Sequence, residues 1–218
     1  EEEEEEEKKE EEESLADQVT LEKNDIKVLK ELREKRTNVL ELGTKHYQTA
    51  ANYYESINAF PNVNDAIIQS ANFMMDNRAY KDAAKALDRL LYADWNQAQT
   101  VKSRSLLQFT ANRIIFLALL SRLCDGVTKD NIDDELEYVE VLMENYAPLG
   151  RLFNDSAEAQ SITKFIEAFK EKSKKVFTQA VEIIHQGSAK YNEFEHHLIY
   201  LKLKLVDLLD SFEDDDEI

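Results

Sequence analysis

The sequence predicts an all-α fold of stacked, tetratricopeptide-like antiparallel helical hairpins. Three observations carry that expectation. The 218 residues contain four glycines and two prolines, so there is little of the turn punctuation a strand-rich fold needs. A third of the chain is charged, which suits long solvated helix faces. Apolar residues recur at steps of three and four along most of the chain, the period of an amphipathic helix. The length suits one compact domain or one helical array with a sizeable core.

Residues 1–13, EEEEEEEKKEEEE, hold eleven Glu and two Lys and have no apolar face. The expectation is a disordered acidic segment, or at most a solvated extension of the next helix, serving as an inert solubilising tail. From Leu15 a stripe of Ile26, Leu29, Leu32, Val39 and Leu40 marks a helix. Gly43 and Thr44 offer a break. Tyr47, Ala50, Ala51, Tyr54 and Ile57 continue the pattern to Phe60 and Pro61, as an antiparallel pair or as one long bent helix. Asn64 and Asp65 are then expected to cap a helix carrying Ile67, Ile68, Ala71, Phe73 and Met74.

Asp76, Asn77 and Arg78 read as a turn before AYKDAAKALDRLLYA, giving the helix–turn–helix grammar of a repeat hairpin without its exact consensus. Trp95 is expected in a connection. A long helix from about Thr100 to Cys124 contains IIFLALL (114–120), too short for a membrane span and bracketed by Arg113 and Arg122, so it reads as a buried core helix. A further helix follows Asn131, with Ile132, Leu136, Val139, Leu142 and Met143, and closes at Pro148 and Gly150. Three more are expected at about 156–171, 174–186 and 190–210. The domain expectation is thus 1–13 disordered, 14–152 a hairpin array, 153–212 a C-terminal helical bundle and 213–218 an acidic tail.

Charge excludes some partners. The net charge is −18, of which residues 1–13 carry −9 and residues 213–217 carry −5, leaving the middle near −4. Acidic ends repel nucleic acid and anionic lipid and favour basic proteins. One cysteine, Cys124, precludes an internal disulfide and fits a reducing compartment. With no signal-like N-terminus and no spanning segment, the expectation is a cytoplasmic protein.

Chemistry has little to rest on. The chain carries no phosphate-binding glycine loop, nucleophile elbow or paired-cysteine motif, so no catalytic residue and no cofactor is expected. His196 and His197 are the one close histidine pair. Neighbouring helix positions point about 100° apart, a poor geometry for one metal, and no metal site is expected. Cys124 reads as a buried structural thiol. Phe165, Phe169, Phe177, Tyr191 and Phe194 read as core rather than a ligand cage.

The C-terminal third carries a resemblance. Phe153, Asp155-Ser156 and Glu158, Glu167-Ala168 with Glu171, FTQAV (177–181), the last helix with Leu201 and the end DDDEI together resemble the soluble NSF attachment protein (SNAP) family, in its α more than its γ branch. Upstream, AYKDAAKALDRL and FTANRIIFLALLSRLC look like the preceding helices in the same order. The resemblance implies a twisted array of helical hairpins with a C-terminal bundle. It also implies a non-catalytic adaptor that recruits the AAA ATPase NSF to SNARE coiled-coil bundles for disassembly in vesicle trafficking. Glu167, Glu171, Asp214, Asp215, Asp216 and Glu217 match acidic positions facing the ATPase, and Ile218 stands where the family has a stimulatory near-terminal leucine.

The departures are specific. Lys170 replaces an acid. Asp65, Gln69, Asn112 and Ala157 fall where the family presents basic residues to SNAREs, leaving Arg113 and Arg122 as the SNARE-facing cations. The family's N-terminal membrane-touching hairpins are shortened or replaced, so membrane contact is expected to be indirect or peripheral. The alternative expectation is a SNAP-fold scaffold that binds a different protein.

Overall fold

The computed structural model describes the backbone of residues 2–97, 101–128, 130–150, 153–187 and 195–213, and side chains over 27–92, 111–128, 130–150, 153–187 and 195–210. Among these residues are eight α-helices and no strand: α1 (Glu2–Ser56), α2 (Phe60–Asp76), α3 (Tyr80–Gln97), α4 (Val101–Gly126), α5 (Ile132–Tyr146), α6 (Ala157–Lys170), α7 (Lys174–Gly187) and α8 (Glu195–Glu213). Two short 3₁₀ turns, Ala147–Leu149 and Phe153–Asp155, join α5 to α6. The all-α expectation holds. The chain divides into two units, Glu1–Gly43 and Thr44–Ile218.

In the first unit the backbone of the Glu tract is helical, as the start of α1. Among the described side chains, Val28, Leu29, Leu32, Val39 and Leu42 are each more than half exposed. The three-and-four spacing correctly identified a helix here, but did not imply a buried face. The backbone stays helical through Gly43 and Thr44, so the continuous-helix alternative applies rather than the antiparallel pair.

In the second unit, three helix ends share one device. Asn58, Arg78 and Lys172 adopt left-handed φ of 58°, 57° and 51°. After each, the next amide reaches back five residues: Ala59 N–H to the Tyr54 carbonyl, Ala79 to Met74 and Ser173 to Ala168, each at 2.8 Å. These are Schellman closures, which satisfy terminal carbonyls and reverse the chain within three residues. Short reversals make neighbouring helices antiparallel, and α2 packs on α3 as α6 packs on α7.

Two boundaries differ from expectation. Pro61 begins α2 rather than ending the preceding helix, and Asn64 and Asp65 lie inside α2, whose N-cap is Ala59. A proline in the first turn loses no hydrogen bond, because that N–H has no intrahelical acceptor. Trp95 lies on the helical backbone of α3, which runs to Gln97. The helices from α4 onward start and end close to the expected positions.

The core is organised around α4. Residues 114–120 are all buried, each at most 1% exposed, so the segment is apolar on every side. Helix α4 as a whole packs against α2, α3, α5, α6 and α8. The aromatic core expectation holds for Phe165, Phe169 and Phe177, with the Phe165 and Phe177 rings 4.9 Å apart between α6 and α7. Tyr191 and Phe194 lie outside the described residues. At the end of α7, Gly187 is in close approach to Ala157 at the start of α6, where a Cβ would stand 2.1 Å from the alanine methyl. Ser161 ties the same pair of helices, its hydroxyl donating to the Ala180 carbonyl at 2.9 Å in a buried position.

Candidate functional site

Helix α6 and its C-cap carry Glu167 and Glu171, the described members of the expected acidic docking surface. Ser156 caps its N-terminus, the hydroxyl oxygen accepting from the Ala159 amide at 3.2 Å. Glu167 and Glu171 are four residues apart and so share one side of the helix end. Glu167 is half-buried and paired with Lys164 one turn back. Glu171, the C-cap residue, is exposed. Lys170 meets Glu140 of α5 at 2.6 Å, so its positive charge is matched by a carboxylate of this chain. Asp214, Asp215, Asp216, Glu217 and Ile218 lie outside the described residues. A shallow open groove between α5 and α6 runs beside the Glu140 pair, lined by Met143, Pro148, Asn154 and Thr163.

The two arginines differ. Arg113 is half-buried on α4. The Arg122 guanidinium donates from Nη2 to Asp88 Oδ2 of α3 at 2.6 Å, and Tyr146 of α5 donates its hydroxyl to Asp88 Oδ1 at 2.6 Å. Arg122 also lies over the Tyr138 ring, 5.6 Å from its centroid. Burial opposes its charge, but the Asp88 charge and hydrogen bond outweigh that and hold its pKa above the ordinary arginine value. Burial, followed by the Asp88 hydrogen bond, raises the pKa of Tyr146 and keeps it a neutral donor. Asp88 thus joins α3, α4 and α5, and Arg122 is committed to that joint. Of the residues expected from the sequence to stand at SNARE-facing positions, Asp65 and Gln69 are exposed while Asn112 and Ala157 are half-buried.

A second polar cluster joins α2 to α8. His196 Nε2 lies 2.8 Å from Asp76 Oδ1, and His197 Nε2 lies 3.7 Å from the same oxygen. His197 is 3% exposed. Its Nδ1 is 3.3 Å from the Tyr80 hydroxyl, and its carbonyl accepts from Cys124 Sγ at 3.8 Å. Tyr80 stacks on Tyr200 with centroids 5.2 Å apart, and Arg78 lies over the other ring of that stack, 5.1 Å from the Tyr200 centroid. Burial, then the neighbouring His196, lowers the His197 pKa to about 4. Cys124 is buried, and loss of solvation raises its thiol well above the usual range, as expected of a structural cysteine. Farther along α8, Lys204 donates to the Asp125 and Val127 carbonyls at 3.1 and 3.2 Å, capping the end of α4 where a cation is favoured.

Sequence spacing did not reveal either cluster, because their members lie far apart in the chain. Asp76 and His196 are 120 positions apart, and Asp88 and Tyr146 are 58 apart. The single-element signals, an isolated Asp at a helix end and a lone Tyr in an apolar stripe, point equally to solvent and to core.

Comparison with known proteins adds the family. The model described as "Soluble NSF attachment protein, SNAP" matches residues 16–193. The beta-soluble NSF attachment protein of Bos taurus is 23% identical over 143 residues, covering 66% of this chain and 43% of the relative. This chain therefore spans less than half the length of that curated relative. No solved structure matches the chain. Among the described residues no helix is long and apolar enough to cross a membrane. With the family model covering most of an all-α chain, this protein belongs to the soluble NSF attachment protein family.

Proposed function

We propose that the chain is a non-catalytic adaptor that recruits an NSF-type AAA ATPase to SNARE complexes for their disassembly in vesicle trafficking. The observation that carries this reading is the family match over residues 16–193. In it, Glu167, Glu171, Asp214, Asp215, Asp216 and Glu217 form an acidic docking surface for basic patches on the ATPase, and Ile218 supplies the terminal apolar contact. Complementary charge of this kind speeds encounter and sets orientation more than it lengthens residence. Arg113 and Arg122 would face the SNARE bundle, in a cytoplasmic protein peripheral to membranes. The test is deletion of residues 213–218 in the full chain. The fold, read by circular dichroism, should be retained while NSF binding and ATPase stimulation are lost. Unchanged NSF binding by the folded truncation would remove the reading.

A second reading is favoured by the state of Arg122. Its charge is already met by Asp88, and Asp65 and Gln69 are exposed where the family presents basic residues. That weakens a SNARE-facing surface and favours a SNAP-family scaffold for a different protein. Pull-down with assembled SNARE bundles separates the two, since the adaptor binds them and the scaffold does not.

A further inference from the structure

We propose that Asp76, His196 and His197 form a binding site for a divalent transition-metal ion of the zinc type, joining the end of α2 to the first turn of α8. This inference is independent of the adaptor reading. The ligand atoms, one carboxylate oxygen and two imidazole nitrogens, lie within 4.8 Å of one another. Neighbouring positions on one helix diverge by about 100°, which argues against a chelate made by α8 alone. Asp76 changes that geometry. It brings a ligand from a second helix beside both rings, with the two ring centroids 3.7 Å apart and the Nε2 atoms 2.8 and 3.7 Å from the same Oδ1.

Ligand atoms around a tetrahedral ion bound at about 2.0–2.1 Å stand roughly 3.3 Å from one another, and the observed 2.8 and 3.7 Å lie on either side of that spacing. Asp76 and His196, each with a side chain 56% exposed, can make the small rotations needed and leave a fourth position open to water. His197 is the fixed member, 3% exposed, with Nδ1 against the Tyr80 hydroxyl. A hydrogen bond on the far nitrogen is how metal-binding imidazoles are oriented, with Nε2 left as the ligand. Stacking on Tyr200 holds Tyr80 in turn.

Two imidazoles and one carboxylate suit Zn²⁺, Co²⁺ or Ni²⁺, and are a poor match for Mg²⁺ or Ca²⁺, which take oxygen shells. Cys124 is not a fourth ligand, because its sulfur is turned to the His197 carbonyl. The ion would replace the hydrogen bond between Asp76 and His196 with a stronger tie between the same helices.

The test uses the full chain, free of any histidine tag and stripped with chelator. Titration with ZnCl₂ by calorimetry should give one equivalent per chain. Titration with CoCl₂ should give visible d–d absorption bands of a low-coordinate nitrogen–oxygen site. Asp76→Asn and His196→Gln alter exposed side chains, so circular dichroism should show them folded, and each should weaken Zn²⁺ binding at least tenfold and abolish the cobalt bands. Absence of a one-to-one isotherm overturns the proposal. So does equal Zn²⁺ affinity in the parent chain and both variants, which would assign binding to the glutamate tract or the acidic tail.

Discussion

Asp88 is the polar joint of three helices, and its removal should be among the costliest single changes outside the apolar core. Both of its oxygens are used, one by Arg122 and one by Tyr146, each at 2.6 Å. Tyr146 is fully buried, and the Arg122 and Asp88 side chains are 21% and 22% exposed. A hydrogen bond to a charged group contributes about 1.5–3 kcal/mol, and a buried donor left without an acceptor costs about 1–3 kcal/mol. Partial exposure lets water recover some of the arginine's share, so Asp88→Ala should cost about 3 kcal/mol out of a total on the order of 5–15 kcal/mol. Tyr146→Phe removes one bond to a carboxylate that Arg122 still holds, and should cost about 1.5 kcal/mol, the low end of that range. Urea denaturation with constant m-value reads both, and the double variant completes the cycle. A coupling energy of about 1 kcal/mol is expected, because the tyrosine's acceptor is the deleted carboxylate. An Asp88→Ala cost below about 0.5 kcal/mol, or strict additivity with Tyr146→Phe, would show that the joint does not contribute to the stability of the fold.

Three further outcomes follow from local geometry. Gly187→Ala places a methyl against Ala157 with no flexible group to yield, and should lower stability by about 1–3 kcal/mol in thermal or urea unfolding. Lys172 sits at φ 51°, so Lys172→Gly should raise stability by about 0.5–1 kcal/mol and Lys172→Val should lower it, both read as shifts in urea midpoint. Cys124, buried with its thiol held protonated, should react with a thiol-specific chromogenic reagent far more slowly in the native chain than in denaturant, and equal rates would contradict its burial.

Much of the fold was legible in the sequence because its signals were local. Apolar spacing located α2 to α8, and the unbroken IIFLALL run correctly indicated a helix buried on all sides. Local signals failed where one residue type serves two opposite purposes. Pro61 can end a helix or open one, and here it opens α2. Leu29, Leu32 and Val39 of the first stripe have a core spacing, yet exposure is decided by what packs against them, which periodicity does not contain. Of the proposed docking residues, Glu167 and Glu171 were named through the family resemblance alone, and their helical spacing places both at the end of α6. The commitment of Arg122 to Asp88 was not legible, since an arginine bracketing an apolar run reads as solvent-facing until its partner on another helix is known.

The burial of α4 also bears on how the protein is made. Helix α4, which holds the buried residues 114–120, packs on α2 and α3, which precede it in synthesis, and on α5, α6 and α8, which follow. A ribosome that has just released α4 therefore presents a seven-residue apolar segment half-covered, and full cover waits until α8 emerges some 80 residues later. At about 5–20 residues per second that interval is several seconds, long enough for collisions with other nascent chains. Production of this chain should thus depend on chaperones that shield α4 during translation, and truncations ending before α8 should aggregate rather than accumulate as smaller folded domains.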